Sequence, residues 1–285
     1  IGQGPWQQID GIAPHPNEPA AGTPPRAMPL VRQSLRMGGG GALVLPHHFT
    51  AESDPYLDDH IINGKRVLPA AGAAEWMAQV AVEGWPGWQL AEVRDLRVLA
   101  GVVLENDKGR EVSIRARAST HSGSGEQMIS VDIVEAGRKA PLYRASVRLV
   151  ERLDETPPPV PEAIQGEPLD AAAVYRDVLF HTGRFRLMTT IDAFGETGVD
   201  AVVRSSTPQD WTGVEGQWLL DPGLIDVAAQ LAFTWVRKAR ATSALPARFG
   251  RLVRYGKAPL PATLKVRFRL RPPSHELAVA FDAYF

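Results

Sequence analysis

Five prolines, Pro157, Pro158, Pro159, Pro161 and Pro168, fall among acidic residues between positions 153 and 168. Neither a helix interior nor a central strand accepts proline at that density, because each one removes a backbone donor and fixes φ. The chain must therefore break there. A second break lies upstream, where residues 1–41 hold seven prolines from Pro5 to Pro29 and end in the glycine run 38–41. That stretch reads as a linker or loosely attached arm in which Trp6 would dock, with the glycines as a flexible hinge. What remains is two pieces of similar size, residues 42–152 and 170–285, joined by a linker at 153–169.

Each piece carries one long helical period and several period-two segments. In the first, residues 43–49 read as extended, and 69–83 as a helix with Ala71, Ala74, Met77, Ala78 and Ala81 near 3.6 spacing. Strands follow near 93–103, 112–118, 129–134 and 143–150, separated by Gly, Asn and Asp turn signals. In the second, a short helix at 170–179 precedes strands near 185–193 and 199–205, a long helix at 222–240, and strands near 251–256, 263–270 and 277–285. No residue-by-residue repeat relates the halves. The expectation is an α+β fold in which a helix packs on an antiparallel sheet, present twice.

Charge and cysteine usage narrow the function. Lys and Arg total 31 against 32 Asp and Glu, a net charge of −1, which removes the general attraction that nucleic-acid and anionic-membrane binders use. Neither partner is expected. With no cysteine there is no disulfide framework, thiolate zinc site or cysteine nucleophile, and a cytoplasmic location is expected. No apolar run is long and uncharged enough to cross a membrane as a helix, and no signal peptide is visible. The first residue, Ile1, and the last, Phe285, inside an expected strand, read as the ends of a segment from a longer polypeptide.

Two strings carry candidate chemistry. In DDHIINGKRVLP, His60, Gly64 and Pro69 follow the spacing HxxxGxxxxP. Asn63-Gly64 is a turn signal and Pro69 suits a helix start. His60 then stands just ahead of helix N–H groups at Ala70 to Gly72, which are able to hold a carbonyl oxygen as it gains negative charge. The same pattern also describes a surface or capping histidine. In LLDPGLIDVAAQ, Asp226 and Gln230 share a helix face at i and i+4, beside Leu224, Val227, Ala228 and Leu231. A carboxyl in that setting has a raised pKa unless paired, as a general acid requires; the alternative is an Asp226 that faces solvent. Asp221, before Pro222, reads as a helix N-cap.

Other histidines are less informative. His47 and His48 point to opposite faces of a strand, and His15, His121 and His275 sit in Pro-, Ser- or Gly-rich turns. The zincin, P-loop and nucleophile-elbow motifs are all missing.

Taken together, HxxxGxxxxP at His60 to Pro69 and DxxxQ at Asp226 to Gln230, on either side of a proline-rich joint, resemble the dehydratase domain of a polyketide synthase. The segment LFHTGRFRL at 179–187 is similar to a family motif seen as LFHGPRF in the polyunsaturated-fatty-acid and enediyne branches. It departs from that motif in having Thr182 and Gly183 where glycine and proline are usual, and Asp221 stands where many modular relatives have His. The resemblance implies a double hot-dog fold, two tandem halves each with an antiparallel sheet wrapped around a central helix. It implies a substrate carried as a 3-hydroxyacyl thioester on the phosphopantetheine arm of an acyl carrier protein, with no intrinsic cofactor and no metal. By the same resemblance His60 is the base that removes the α-proton, Asp226 the acid that protonates the departing hydroxyl and Gln230 the residue that positions Asp226. Gly64, Pro69, Ala70 and Gly72 shape the substrate site. Partners implied are the carrier protein, other domains of the same megasynthase, and a second copy in a homodimer. Other outcomes on the same fold are double-bond isomerisation, a product-template type of cyclisation, and a non-catalytic scaffold that binds carrier protein.

Overall fold

The computed structural model describes residues 28–119, 125–154, 156–242, 244–256, 259–272 and 279–285. Trp6, most of the proline-rich arm, His15, His121 and His275 lie outside the described residues.

In chain order the strands are β1 (Arg36–Met37), β2 (Leu43–Phe49), β3 (Ile61–Ile62), β4 (Lys65–Val67), β5 (Gln89–Val98), β6 (Val103–Leu104), β7 (Arg110–Ala118), β8 (Glu126–Val134) and β9 (Tyr143–Val150). The remainder are β10 (Glu167–Leu169), β11 (Met188–Gly195), β12 (Gly198–Arg204), β13 (Arg248–Val253), β14 (Thr263–Arg271) and β15 (Ala280–Tyr284). The helices are α1 (Ala70–Gly84), α2 (Ala171–Asp177), α3 (Pro208–Thr212) and α4 (Pro222–Arg240). None of them is long and apolar enough to cross a membrane.

Seven strands form an antiparallel sheet in the order β1-β2-β7-β8-β9-β5-β13. Its inward face comes from strict alternation: Val112, Ile114 and Ala116 of β7, Ile129, Val131 and Ile133 of β8, and Tyr143, Ala145, Val147 and Leu149 of β9 are buried, while Glu111, Arg115 and Arg117 face outward. That face wraps α1, which touches β5, β7, β8 and β9. The helix is rich in alanine, so the sheet approaches it closely, and Trp76, Met77 and Val80 fill the space between.

The second sheet runs β10-β11-β12-β14-β15, also antiparallel. Leu224, Val227, Leu231 and Trp235 of α4 pack into it against Val199, Ala201, Val203, Val266 and Phe268. This is the helix-in-sheet pair expected of a double hot-dog. The two helices touch each other, so the halves meet along their central elements.

Two details differ from the sequence reading, and a third accords with its allowance for docking of the arm. The strand expected near 251–256 forms as β13, and it pairs with β5 of the first sheet, not with the second. The glycine run is no loose hinge: Gly39–Gly41 make one tight 3-10 turn between β1 and β2, with Gly40 and Gly41 at positive φ and the Gly39 carbonyl held by Arg117. Part of the expected arm docks, since Leu30 is buried in the first core and its N–H donates to Gln79.

Candidate active site

The spacing around His60 has a local cause. His60 ends a 3-10 turn, Pro55–Asp59, and leads into the β3–β4 hairpin, whose two-residue turn is Asn63 (φ 51°) and Gly64 (φ 76°). Positive φ at both positions is the turn that matches strand twist. The hairpin brings Val67 back opposite His60, and the His60 Nδ1 lies 2.8 Å from the Val67 carbonyl oxygen. A carbonyl only accepts, so Nδ1 carries the hydrogen and Nε2 of the neutral ring keeps its lone pair. Pro69 follows at φ −64° and α1 begins at Ala70.

Asp226 projects from the second turn of α4. That helix is anchored by Asp221, whose side chain accepts from the N–H groups of Gly223, Leu224 and Ser206 and from the Ser206 hydroxyl. Gln230 donates from Nε2 to Asp226 Oδ2 at 2.8 Å and to the Phe185 carbonyl at 3.1 Å, while its Oε1 accepts from the Tyr175 hydroxyl at 3.0 Å. Every face of the amide is engaged, so its orientation is set.

A third residue joins them. His181 Nε2 lies 3.3 Å from Asp226 Oδ2. Its ring stacks on Phe180 at 4.0 Å between centroids and stands 5.4 Å from the His60 ring. The loop after it is pinned to the residue beside His60: Asp59 accepts from the Thr182 hydroxyl, the Arg184 N–H and the Arg184 guanidinium, and its carbonyl accepts from the Thr182 N–H.

His60, His181 and Asp226 are 6%, 5% and 4% exposed. One ring nitrogen of each imidazole and one carboxylate oxygen lie within 4.8 Å of one another. They form part of the wall of a cavity of about 170 Å³ whose remaining lining includes Val98, Val103, Phe180, Phe233 and Leu245. Burial, with His181 alongside, outweighs the pull of Asp226 and holds the His60 imidazole below its ordinary value of 6.5. Burial also opposes charge on Asp226, but His181, ahead of His60 and Gln230, outweighs it, and the carboxyl is held below its ordinary value. The raised carboxyl expected of an unpaired Asp226 is thus absent, because Asp226 is paired. Two imidazoles and a carboxylate are a ligand set that transition metals accept. Their spread of up to 4.8 Å exceeds the roughly 3.3 Å between ligand atoms that zinc bonds of about 2.0–2.1 Å require in a tetrahedron.

Of the residues singled out from the sequence, His60, Asp226, Pro69 and Ala70 line the cavity and Gln230 stands behind Asp226. Gly64 and Gly72 do not line it. Gly64 is exposed in the hairpin turn, and Gly72 faces Leu68 and Pro69 across the first turn of α1. The sequence assigns no part to His181, although the string LFHTGRFRL contains it. Periodicity carries no signal for it, since it lies in irregular backbone between α2 and β11.

Comparison with known proteins agrees in both halves. Residues 28–134 match a family model described as the polyketide synthase dehydratase domain, and residues 153–282 a model described as the polyketide synthase dehydratase N-terminal domain. A curated relative, one of the subunits of the polyunsaturated fatty acid synthase of Thraustochytrium sp., is 27% identical over 230 residues, which are 78% of this chain and 8% of that much longer protein. Among solved structures, the dehydratase domain from the CurJ module of curacin polyketide synthase superposes with a TM-score of 0.66 at 14% identity, covering 90% of this chain and 88% of that one. The dehydratase domain of a mycocerosic acid synthase-like polyketide synthase gives 0.65 at 21% identity, with 90% of each chain covered. The dehydratase domain of RzxB from Pseudomonas fluorescens gives 0.63 at 18%, covering 90% and 91%. At these identities the structural likeness speaks for the fold.

Proposed function

The chain belongs to the polyketide synthase dehydratase family, and from that premise we propose that it eliminates water from a 3-hydroxyacyl thioester to give the α,β-unsaturated thioester. One observation carries the reading. A histidine from the first half and an aspartate from the second reach within 4.8 Å of each other on the wall of a largely apolar cavity. Hydroxide is a poor leaving group and a thioester α-proton is weakly acidic, so elimination needs a base and an acid acting on neighbouring carbons.

His60 Nε2 removes the α-proton. The C–H electron pair becomes the carbon–carbon double bond, the β-carbon–oxygen bond breaks, and the oxygen leaves as water after taking a proton from the Asp226 side of the cavity. Gln230 positions Asp226. Ala70 and Ala71, at the start of α1, line the cavity, and in this reading the free N–H groups of that helix start stabilise charge on the thioester oxygen. Acid and base steps of this kind contribute about 10²–10⁴-fold each. The apolar lining suits an acyl chain, which in this reading arrives on the phosphopantetheine arm of an acyl carrier protein. Other domains of a synthase would act before and after, in the cytoplasm, and a homodimer is part of the same reading.

The test is direct. Incubated with a 3-hydroxyacyl thioester, the protein should give a product lighter by one water, and His60→Ala and Asp226→Asn should each abolish it. A product of unchanged mass would replace this reading with isomerisation, and full turnover by His60→Ala would end the assignment of the base.

A further inference from the structure

We propose that His181 works with Asp226 as a single hydrogen-bonded pair that holds the proton delivered to the departing hydroxyl. This rests on the dehydration reading for the proton's destination, but not for where the proton is held.

Two observations and one chemical argument lead to it. His181 Nε2 and Asp226 Oδ2 are 3.3 Å apart and both groups are almost fully buried. Among the described residues, Asp226 is hydrogen-bonded or ion-paired to Gln230 and His181, and of these only the imidazole can gain or lose a proton. The second observation is that His181 Nδ1 is buried with no hydrogen-bond partner. Leaving a buried polar group unpaired is costly, and phenylalanine would keep the stack on Phe180 without that cost. Packing alone does not select histidine here. Third, a buried carboxylate surrounded by donors is a poor proton donor by itself, so its activity as an acid requires a proton stored on a neighbour.

The step balances within the site. Before reaction, His60 is neutral and the pair holds one proton. As His60 takes the α-proton, the pair gives up its own to the β-hydroxyl and is left as neutral imidazole and carboxylate. Water leaves, and the proton on His60 returns to the pair across a gap of at most 4.8 Å.

The charged and titratable groups around His181 are few. Asp226 faces it from α4 and His60 from the segment before β3. Tyr175 of α2 reaches Asp226 through Gln230. Arg186 donates to the His181 carbonyl, and Asp59 is engaged by Thr182 and Arg184. His181 is a positioning residue in this scheme, since it acts through Asp226.

Ring ¹⁵N shifts of the ¹⁵N-histidine-labelled chain, followed across pH, locate the proton without any turnover. Near pH 7 His181 should be doubly protonated and His60 neutral, and Asp226→Asn should return His181 to the neutral form. In kinetics, His181→Phe should lower kcat by about tenfold or more and move the alkaline limb of the kcat profile, with KM little changed. A neutral His181 near pH 7 in the unsubstituted chain would overturn the proposal, as would wild-type kcat and pH profile in His181→Phe. A wild-type chain that failed to dehydrate would instead count against the functional reading, and the ring shifts would still report where the proton sits.

Discussion

Asp59 of the first half and Arg184 of the second are joined twice, by the Arg184 guanidinium at 2.5 Å and by its backbone N–H at 3.2 Å, both to Asp59 Oδ2. Each of these residues sits close in sequence to a cavity histidine, Asp59 next to His60 and Arg184 three positions after His181. The clamp therefore ties together the two backbone segments that carry the imidazoles. Gly183 lies beneath it at φ 42°, and a Cβ there would fall 2.3 Å from Asp59 Oδ1.

Alanine at two left-handed glycines separates backbone cost from crowding. At Gly64, φ is 76° and a Cβ would meet nothing within 4 Å, so Gly64→Ala should cost only the left-handed penalty, about 1–2 kcal/mol, and leave kcat nearly unchanged. Gly183→Ala adds the collision with Asp59 and should lower both stability and kcat by more. Chemical denaturation and dehydration assays on the two variants check the contrast.

In the proposed elimination His60 must be neutral to accept a proton. Because burial holds its pKa below 6.5, the neutral form dominates at pH 7 and persists somewhat below 6.5. The acidic limb of kcat/KM should accordingly lie below pH 6.5, and a limb above that value would contradict a desolvated base.

Asp221 predicts a pH dependence of stability. Burial pushes its carboxyl up to about 6 from an ordinary 3.8, against the opposing hydrogen bonds from Ser206, Leu224 and Gly223. Between about pH 4 and 6 the native state keeps a proton that the unfolded chain has released, so this group's contribution to stability falls as pH rises through that window and is flat above it. Asp221→Asn removes the titration. Urea unfolding at several pH values should show the wild-type minus variant difference changing by about 2–3 kcal/mol across the window.

Glu75 ties the halves together inside the core. Its carboxylate accepts from the Leu219 and Leu220 N–H groups and from Gln79 Nε2, at 2.7–2.8 Å. Glu75→Ala leaves two backbone donors of the second half unpaired and opens a void, and should cost about 2–5 kcal/mol by denaturant titration. Glu75→Gln keeps the volume and should cost less.

Much of the fold was legible because its causes are local. Proline density divides the chain, alternation in β7 to β9 marks an inner and an outer face, and the helix at 222–240 forms at those limits because Asp221 and Pro222 start it. Asn63-Gly64 and Pro69 likewise place His60 by short-range geometry. The linker could not reveal which sheet β13 would join. Its residues have the same alternation in either sheet, and the choice depends on the edge that β5 leaves free.

The pairing of Asp226 with His181 was equally hidden, since 45 positions and irregular backbone separate them and no period relates a loop residue to a helix. Composition and spacing alone determined the two helix-and-sheet halves, with a histidine ahead of the first long helix and an aspartate early in the second. Only the packing of α1 on α4, with the Asp59–Arg184 clamp across the halves, decided that these groups share one largely apolar cavity and that neighbours hold the carboxyl below its ordinary value. Burial and proximity, unlike strand or helix period, arise from contacts between segments far apart in the chain.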